Sequence, residues 1–159
     1  MEFHVNRLVI SLALLVASCS AMADCFDLAG RDYHIDADLL RAVSFRESSF
    51  RPGVVNTSNG KGYAVGMMQI YSSNFPHLSQ FGITPGNLQH DACLNIYTGA
   101  YYLAIAFKRW GNTWRAVGAY NAGFKDSAEQ EARRRKYAAE VKRIFMKIKS
   151  SKSAMTAKN

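Results

Sequence analysis

An acid on an apolar helical stripe is the first feature of this chain that could do chemistry. In Leu39-Leu40-Arg41-Ala42-Val43-Ser44-Phe45-Arg46-Glu47-Ser48-Ser49-Phe50, the residues Leu40, Val43 and Glu47 stand at i, i+3 and i+7. On a helix that spacing is one face. A carboxyl placed there is drawn partly out of water, which penalises its charged form and lifts its pKa above the ordinary value of about 4.3. A carboxyl still protonated near neutral pH is what a general acid requires. A glutamate near a helix end can equally just reach into solvent, so this stretch alone leaves both uses open.

The elements that would position Glu47 are mostly helical. Asp24 is a cap for a helix to about His34, with Phe26, Ala29 and Tyr33 on one side, and Asp36 caps the helix that carries Glu47 and ends before Pro52-Gly53. Asn56 to Gly62 has turn composition. Tyr63 to Gly66 reads as a short extended piece, followed by a helix starting near Met68. Thr84-Pro85 is an N-cap with proline at the first helical position. Asp91 caps a long helix through Arg109, ended by Gly111, whose Leu94, Tyr97, Tyr101 and Ala104 share a face. Thr113 opens a helix to about Asn121, and Asp126 with Glu129 forms a capping box for a last helix with Tyr137, Val141, Ile144 and Ile148 as its buried stripe. The expected architecture is a single, mainly α domain with a small β-hairpin or loop beside the cleft, over residues 24–149. Residues 150–159 read as a disordered polar tail.

Residues 1–23 have the pattern of an export signal. Arg7 supplies the positive start, Leu8 to Val16 an apolar run too short to span a bilayer, and Ala21-Met22-Ala23 a small-x-small cleavage site. The expected location is the periplasm, with lipid anchoring at Cys19 as the lesser alternative. Cys19 then leaves with the signal or becomes the anchor, so Cys25 and Cys93 remain in an oxidising compartment and are expected to bridge. There is no CxxC, and His4, His34, His77 and His90 lack ligand spacing, so no metal or cofactor is expected.

The chain carries 20 Lys and Arg against 12 Asp and Glu, a net charge of +8. The excess crowds the last third, from Lys125 through Arg133-Arg134-Arg135-Lys136 to Lys158. Such a surface favours anionic partners such as anionic lipid or an acidic wall polymer, or is simply a solvated face. Export and the lack of a nucleic-acid-binding motif argue against nucleic acid.

Three short segments sharpen this reading: Glu47-Ser48-Ser49-Phe50, Gly66-Met67-Met68-Gln69-Ile70 and Ala119-Tyr120-Asn121-Ala122-Gly123. In order and separation they resemble the soluble lytic transglycosylases, which share a goose-lysozyme-like fold and cleave peptidoglycan. Gly111 to Gly118 and Tyr137 also look like that family. The small size, export signal and cysteine pair look most like members serving type III secretion, conjugation or pilus systems.

The resemblance implies an α+β lysozyme-like fold and a monomer acting on glycan strands beside an envelope-spanning machine. It implies Glu47 as sole catalytic acid/base, Gln69 as a groove residue, Tyr120 as the tyrosine whose hydroxyl supports the catalytic carboxyl, and Asn121 as its groove neighbour. Asn56 falls near a polar position that contacts the N-acetyl group at the bond being cut. Met68 is a further substrate-binding candidate, although core packing is the simpler use of Met67, Met68, Tyr97, Tyr101 and Tyr102. Met67 departs from the family's usual leucine.

The residues themselves agree with that chemistry in one respect. Ordinary glycosidases flank the bond with two carboxyl groups. No Asp or Glu occurs from Ser48 through His90, the stretch that would form the facing wall. One acid must then make both proton transfers, with the muramic acid 6-hydroxyl as nucleophile and a 1,6-anhydro ring as product. A goose-type hydrolase and a non-catalytic wall-binding or assembly module are the alternatives.

Overall fold

The computed structural model describes residues 25–57 and 61–158. The export signal, Cys19, the expected cap Asp24 and loop residues 58–60 lie outside them. The first helix (α1) covers residues 25–33 and ends at His34, which turns left-handed at φ 56°. Asp36 then caps α2 (Ala37–Ser48), accepting from the Asp38 amide at 2.8 Å.

A three-stranded antiparallel sheet follows: β1 (Val55–Thr57), β2 (Tyr63–Val65) and β3 (Ile70–Tyr71), in that order. Its register sets Asn56 opposite Ala64 and Val65 opposite Ile70. A 3-10 turn (Ser72–Asn74) leads into two short helices, α3 (Phe75–Ser79) and α4 (Pro85–His90), the latter held by a reciprocal box between Thr84 and Asn87. The central helix α5 (Ala92–Trp110), then α6 (Trp114–Ala122) and the long α7 (Ala128–Thr156), complete the chain. Asp91 and Thr113 cap α5 and α6 as their side-chain chemistry predicts.

The disulfide between Cys25 and Cys93 ties α1 to α5, with the Cα atoms 5.5 Å apart. The core gathers Phe26, Leu40, Val43, Met67, Met68, Ile96, Leu103, Val117, Tyr137 and Val141 from every layer. Gly118 lets α6 and α7 meet closely: a Cβ there would lie 2.4 Å from the Arg134 carbonyl oxygen.

Three expectations change, and the face of α5 carrying Leu94, Tyr97 and Tyr101 is located. The helix expected near Met68 is instead a turn leading into β3. Gln69 stands in the left-handed region at φ 52°, and the carbonyls of Met67 and Met68 accept side-chain hydroxyls in place of helical amides. The core-facing side of α5 is Ile96, Gly99, Ala100, Leu103 and Ala106. Leu94, Tyr97 and Tyr101 line an open apolar groove with Tyr33, Leu78 and Phe81. Gly99 on the core-facing side admits the close approach of Met68, which a Cβ there would obstruct.

The cap of α7 is Ser127, which accepts from the Gln130 amide at 3.2 Å, one residue later than the Asp126 box. Finally, residues 150–156 continue α7. Its end is held to the start of α2 by Lys149 on Asp36 at 2.8 Å and by Lys152 on Asp38.

Candidate active site

Glu47 occupies the last turn of α2, half-buried. Its Oε1 accepts a hydrogen bond from the Tyr137 hydroxyl at 2.5 Å. Tyr137 is 2% exposed. The Arg46 guanidinium lies 5.0 Å from its ring centre while donating to Glu140 at 3.0 Å. The ring of Tyr120 stacks nearby, with centroids 6.5 Å apart.

Burial pushes the Glu47 carboxyl above the ordinary carboxylate range; the Tyr137 hydroxyl and the Arg46 charge moderate that rise, and Glu140 adds to it. Burial together with the Glu47 charge raises both tyrosines well above the usual phenol value, so each hydroxyl keeps its proton and donates. The arrangement is therefore one acid with a fixed donor on one oxygen. The other oxygen is left for a proton transfer.

The turn Gly66–Ile70 is tied to the end of α2 next to Glu47 and locked by four side chains. Ser48, the residue after the acid, donates to the Met67 carbonyl at 2.7 Å, and Tyr120 donates to the Met68 carbonyl at 2.7 Å. Asn95 is fully buried, accepts from the Met68 amide at 2.7 Å and donates to the carbonyls of Val65 and Leu88, each at 3.0 Å. Gln69 turns its own amide back to the Gly66 carbonyl at 2.8 Å. Gly66 cannot be replaced without cost: it has φ 78°, and a Cβ would fall 2.1 Å from Asn95 Nδ2.

Gln69 and Tyr120 line a groove of about 330 Å³ together with Tyr71, Asn74, Tyr102 and Phe124. Asn56 reaches Gln69 from β1, its amide donating to Gln69 Oε1 at 2.8 Å. Asn121 is exposed beside Tyr120 at the end of α6 and is not part of the groove lining.

The expected residues thus divide. Gln69 and Tyr120 line the groove and Asn56 joins them through Gln69, while Glu47 is outside the lining and connects to Tyr120 through the stacked ring of Tyr137. Met68, expected to bind substrate, is fully buried, packs against Gly99 and serves through its backbone. The hydroxyl on the Glu47 carboxyl belongs to Tyr137, whereas Tyr120 holds the Met68 carbonyl. A tyrosine heading an otherwise aliphatic stripe on α7 was the available signal, since a buried phenol needs a partner.

From the sequence no role is expected for Ser48, although it stands in the Glu47-Ser48-Ser49-Phe50 segment, or for Asn95, whose signal is a lone asparagine within an apolar helix. Arg134 also departs from the basic run around it. It is 1% exposed, donates to the carbonyls of Gly123 and Lys125, and pairs with Glu131 at 2.8 Å. Among the described residues no group of three or more His, Cys, Asp or Glu is placed to hold a metal ion, and no helix is long and apolar enough to cross a membrane.

Comparison with protein families matches residues 24–143 to the transglycosylase SLT domain. The chain belongs to the transglycosylase SLT family. Family relatives include the X polypeptide of Escherichia coli, 57% identical over 145 residues, which span 91% of this chain and 85% of that protein. Invasion protein IagB of Salmonella typhimurium is 33% identical over 85% of this chain and 83% of its own length. Protein IpgF of Shigella flexneri is 36% identical over 79% and 82% respectively.

Among solved structures, an inactive variant of the lytic transglycosylase Slt from Pseudomonas aeruginosa superposes with a TM-score of 0.59 at 22% identity. That likeness covers 77% of this chain and 23% of the much longer Slt chain, and carries the SLT fold. The Cys25–Cys93 bridge points to an oxidising compartment outside the cytoplasm.

Proposed function

We propose that this SLT-family chain is a peptidoglycan lytic transglycosylase that cuts the β-1,4 bond between N-acetylmuramic acid and N-acetylglucosamine. The observation that carries the reading is Glu47, half-dry and fixed by Tyr137, in a chain with no Asp or Glu from Ser48 through His90 and with the neighbouring Glu140 tied up by Arg46.

Protonated Glu47 gives its proton to the glycosidic oxygen, and the bond from muramic acid C1 to that oxygen breaks. The 2-acetamido group stabilises the positive centre at C1. Glu47, now a carboxylate and held by the Tyr137 hydroxyl, takes the proton from the 6-hydroxyl, and O6 closes on C1. The acid is regenerated, the product ends in a 1,6-anhydro ring, and no water is consumed. Gln69 and Tyr120 line the groove that takes the sugars, with Asn56 holding the Gln69 amide.

The relatives' roles extend the proposal. An exported enzyme of this size, akin to a protein named for invasion, opens the wall locally for an envelope-spanning secretion, conjugation or pilus apparatus. The test is Glu47→Gln, assayed on purified sacculi. Loss of at least a thousandfold in turnover with an unchanged fold supports the acid/base role, and wall clearance at the parental rate would refute it.

A further inference from the structure

The cations of α7 fall into two sets. Arg133, Arg134, Lys149 and Lys152 each meet a carboxylate, as does Arg115 opposite them on α6. Arg135, Lys136, Lys142, Arg143 and Lys147 are exposed and form no ion pair among the described residues. At about 100° per residue Arg135, Lys142 and Arg143 lie on the side of α7 opposite Tyr137, Val141 and Ile144, with Lys136 and Lys147 on its flank. They extend over about 18 Å of helix at a rise of about 1.5 Å per residue. Arg143 and Lys147 stand at i and i+4, where like charges repel and an anionic ligand would relieve the repulsion.

At one edge of this face lies a concavity of about 260 Å³ lined by Trp114, Arg115, Glu131, Arg135, Ala138 and Lys142. The Lys142 ammonium stands 5.6 Å from the Trp114 ring centre. Glu131 is already matched by Arg115 and Arg134, so the charge left over in the concavity is that of Arg135 and Lys142.

We propose that this face is a second wall-binding site, separate from the cleft, which takes the carboxylates of peptidoglycan stem peptides. The proposal rests on the wall-cleaving reading above and adds where the enzyme holds the polymer. A concave pocket with an aromatic wall suits a short, branched acidic group; a flat bilayer would read net charge and need no pocket. Stem peptides recur along the polymer, so several weak contacts along one helix sum to useful retention. Tyr137 faces inward to Glu47 from the same helix, so the site shares no residue with the bond-breaking step.

The test uses the full chain carrying Glu47→Gln, so that the wall stays intact, in co-sedimentation with purified sacculi. Arg135→Gln/Lys142→Gln/Arg143→Gln should weaken binding at least tenfold. Sacculi whose carboxyls have been amidated should bind the parent as poorly as intact sacculi bind the triple variant. Unchanged binding after either treatment would overturn the proposal. So would phosphatidylglycerol vesicles that bind more tightly than sacculi and lose that binding in the triple variant, which would assign the face to a membrane.

Catalysis is read separately. The triple variant with Glu47 intact should keep its kcat on a short soluble muropeptide while losing activity on sacculi. If the parent cuts neither substrate, the catalytic reading fails and the sedimentation result still decides this one.

Discussion

The Tyr137 hydroxyl lies 2.5 Å from Glu47 Oε1 and joins residues ninety apart in sequence. It sets which oxygen of the acid is engaged and how readily the carboxyl ionises. The raised carboxyl comes from burial, and the phenol works against it. Removing the phenol while keeping its ring should therefore raise the Glu47 pKa further. In Tyr137→Phe the alkaline limb of the pH–rate profile moves to higher pH, and kcat falls roughly tenfold to a hundredfold, the worth of a hydrogen bond to a charged group (about 1.5–3 kcal/mol). A profile that keeps its limb in place would contradict the assignment.

Glu47 also carries a stability signature with a definite sign. Its folded pKa lies above the unfolded value, so its contribution is most favourable below the unfolded pKa of about 4.3 and is lost as pH rises through the folded one. Glu47→Gln, which cannot ionise, should be more stable than the parent at pH 7. That advantage should disappear below about pH 4. Urea denaturation at both pH values checks it.

Asn95 holds three backbone groups around the Gly66–Ile70 turn without being placed to touch substrate. Asn95→Leu leaves those groups buried and unpaired, at about 1–3 kcal/mol each. A loss of roughly 3 kcal/mol or more in unfolding free energy is expected. Activity should fall as well, because the Tyr120 anchor on Met68 shifts with the turn.

The clamp between the ends of α7 and α2 predicts acid sensitivity of another sign. Burial tends to raise the Asp38 carboxyl, but Lys152 and Arg41 overcome it and hold the group below its ordinary value. Its contribution is present above the unfolded pKa of about 3.9 and disappears as pH falls through the folded one. Asp38→Asn should cost about 1–3 kcal/mol at pH 7 and far less at pH 3, measured by thermal melts across that range.

Reduction of Cys25–Cys93 should destabilise the domain by about 2–4 kcal/mol, since the bridge closes a long loop of the unfolded chain. At roughly 2–4 °C per kcal/mol for a chain of this length, the melting temperature should drop by at least about 4 °C. An unchanged melt in reductant would count against a structural role for the bridge.

What could be read from the sequence was local or compositional. The caps Asp36, Thr84, Asp91 and Thr113 announce themselves because each satisfies amides within three residues. Glu47 stands out because an acid on an apolar stripe is a local anomaly. Long-range partners left weaker marks. Met68 and Gln69 have the composition of a helix, and only the hydroxyls of Ser48 and Tyr120, brought in from other elements, claim the carbonyls a helix would need. The same holds for Lys149 and Lys152, whose helix persists because aspartates at the start of α2 meet them. The resemblance assigns the supporting hydroxyl to Tyr120, but Tyr137 is the one that reaches the acid, and that depends on how α6 and α7 cross at Gly118.

The central claim is that one acid cuts the strand with an internal hydroxyl as nucleophile. Digestion of sacculi in water enriched in heavy oxygen, followed by mass spectrometry of the fragments, tests it most directly. The account predicts anhydromuramyl ends with no heavy oxygen incorporated, and no such ends from Glu47→Gln. Reducing ends that carry the heavy label would contradict it.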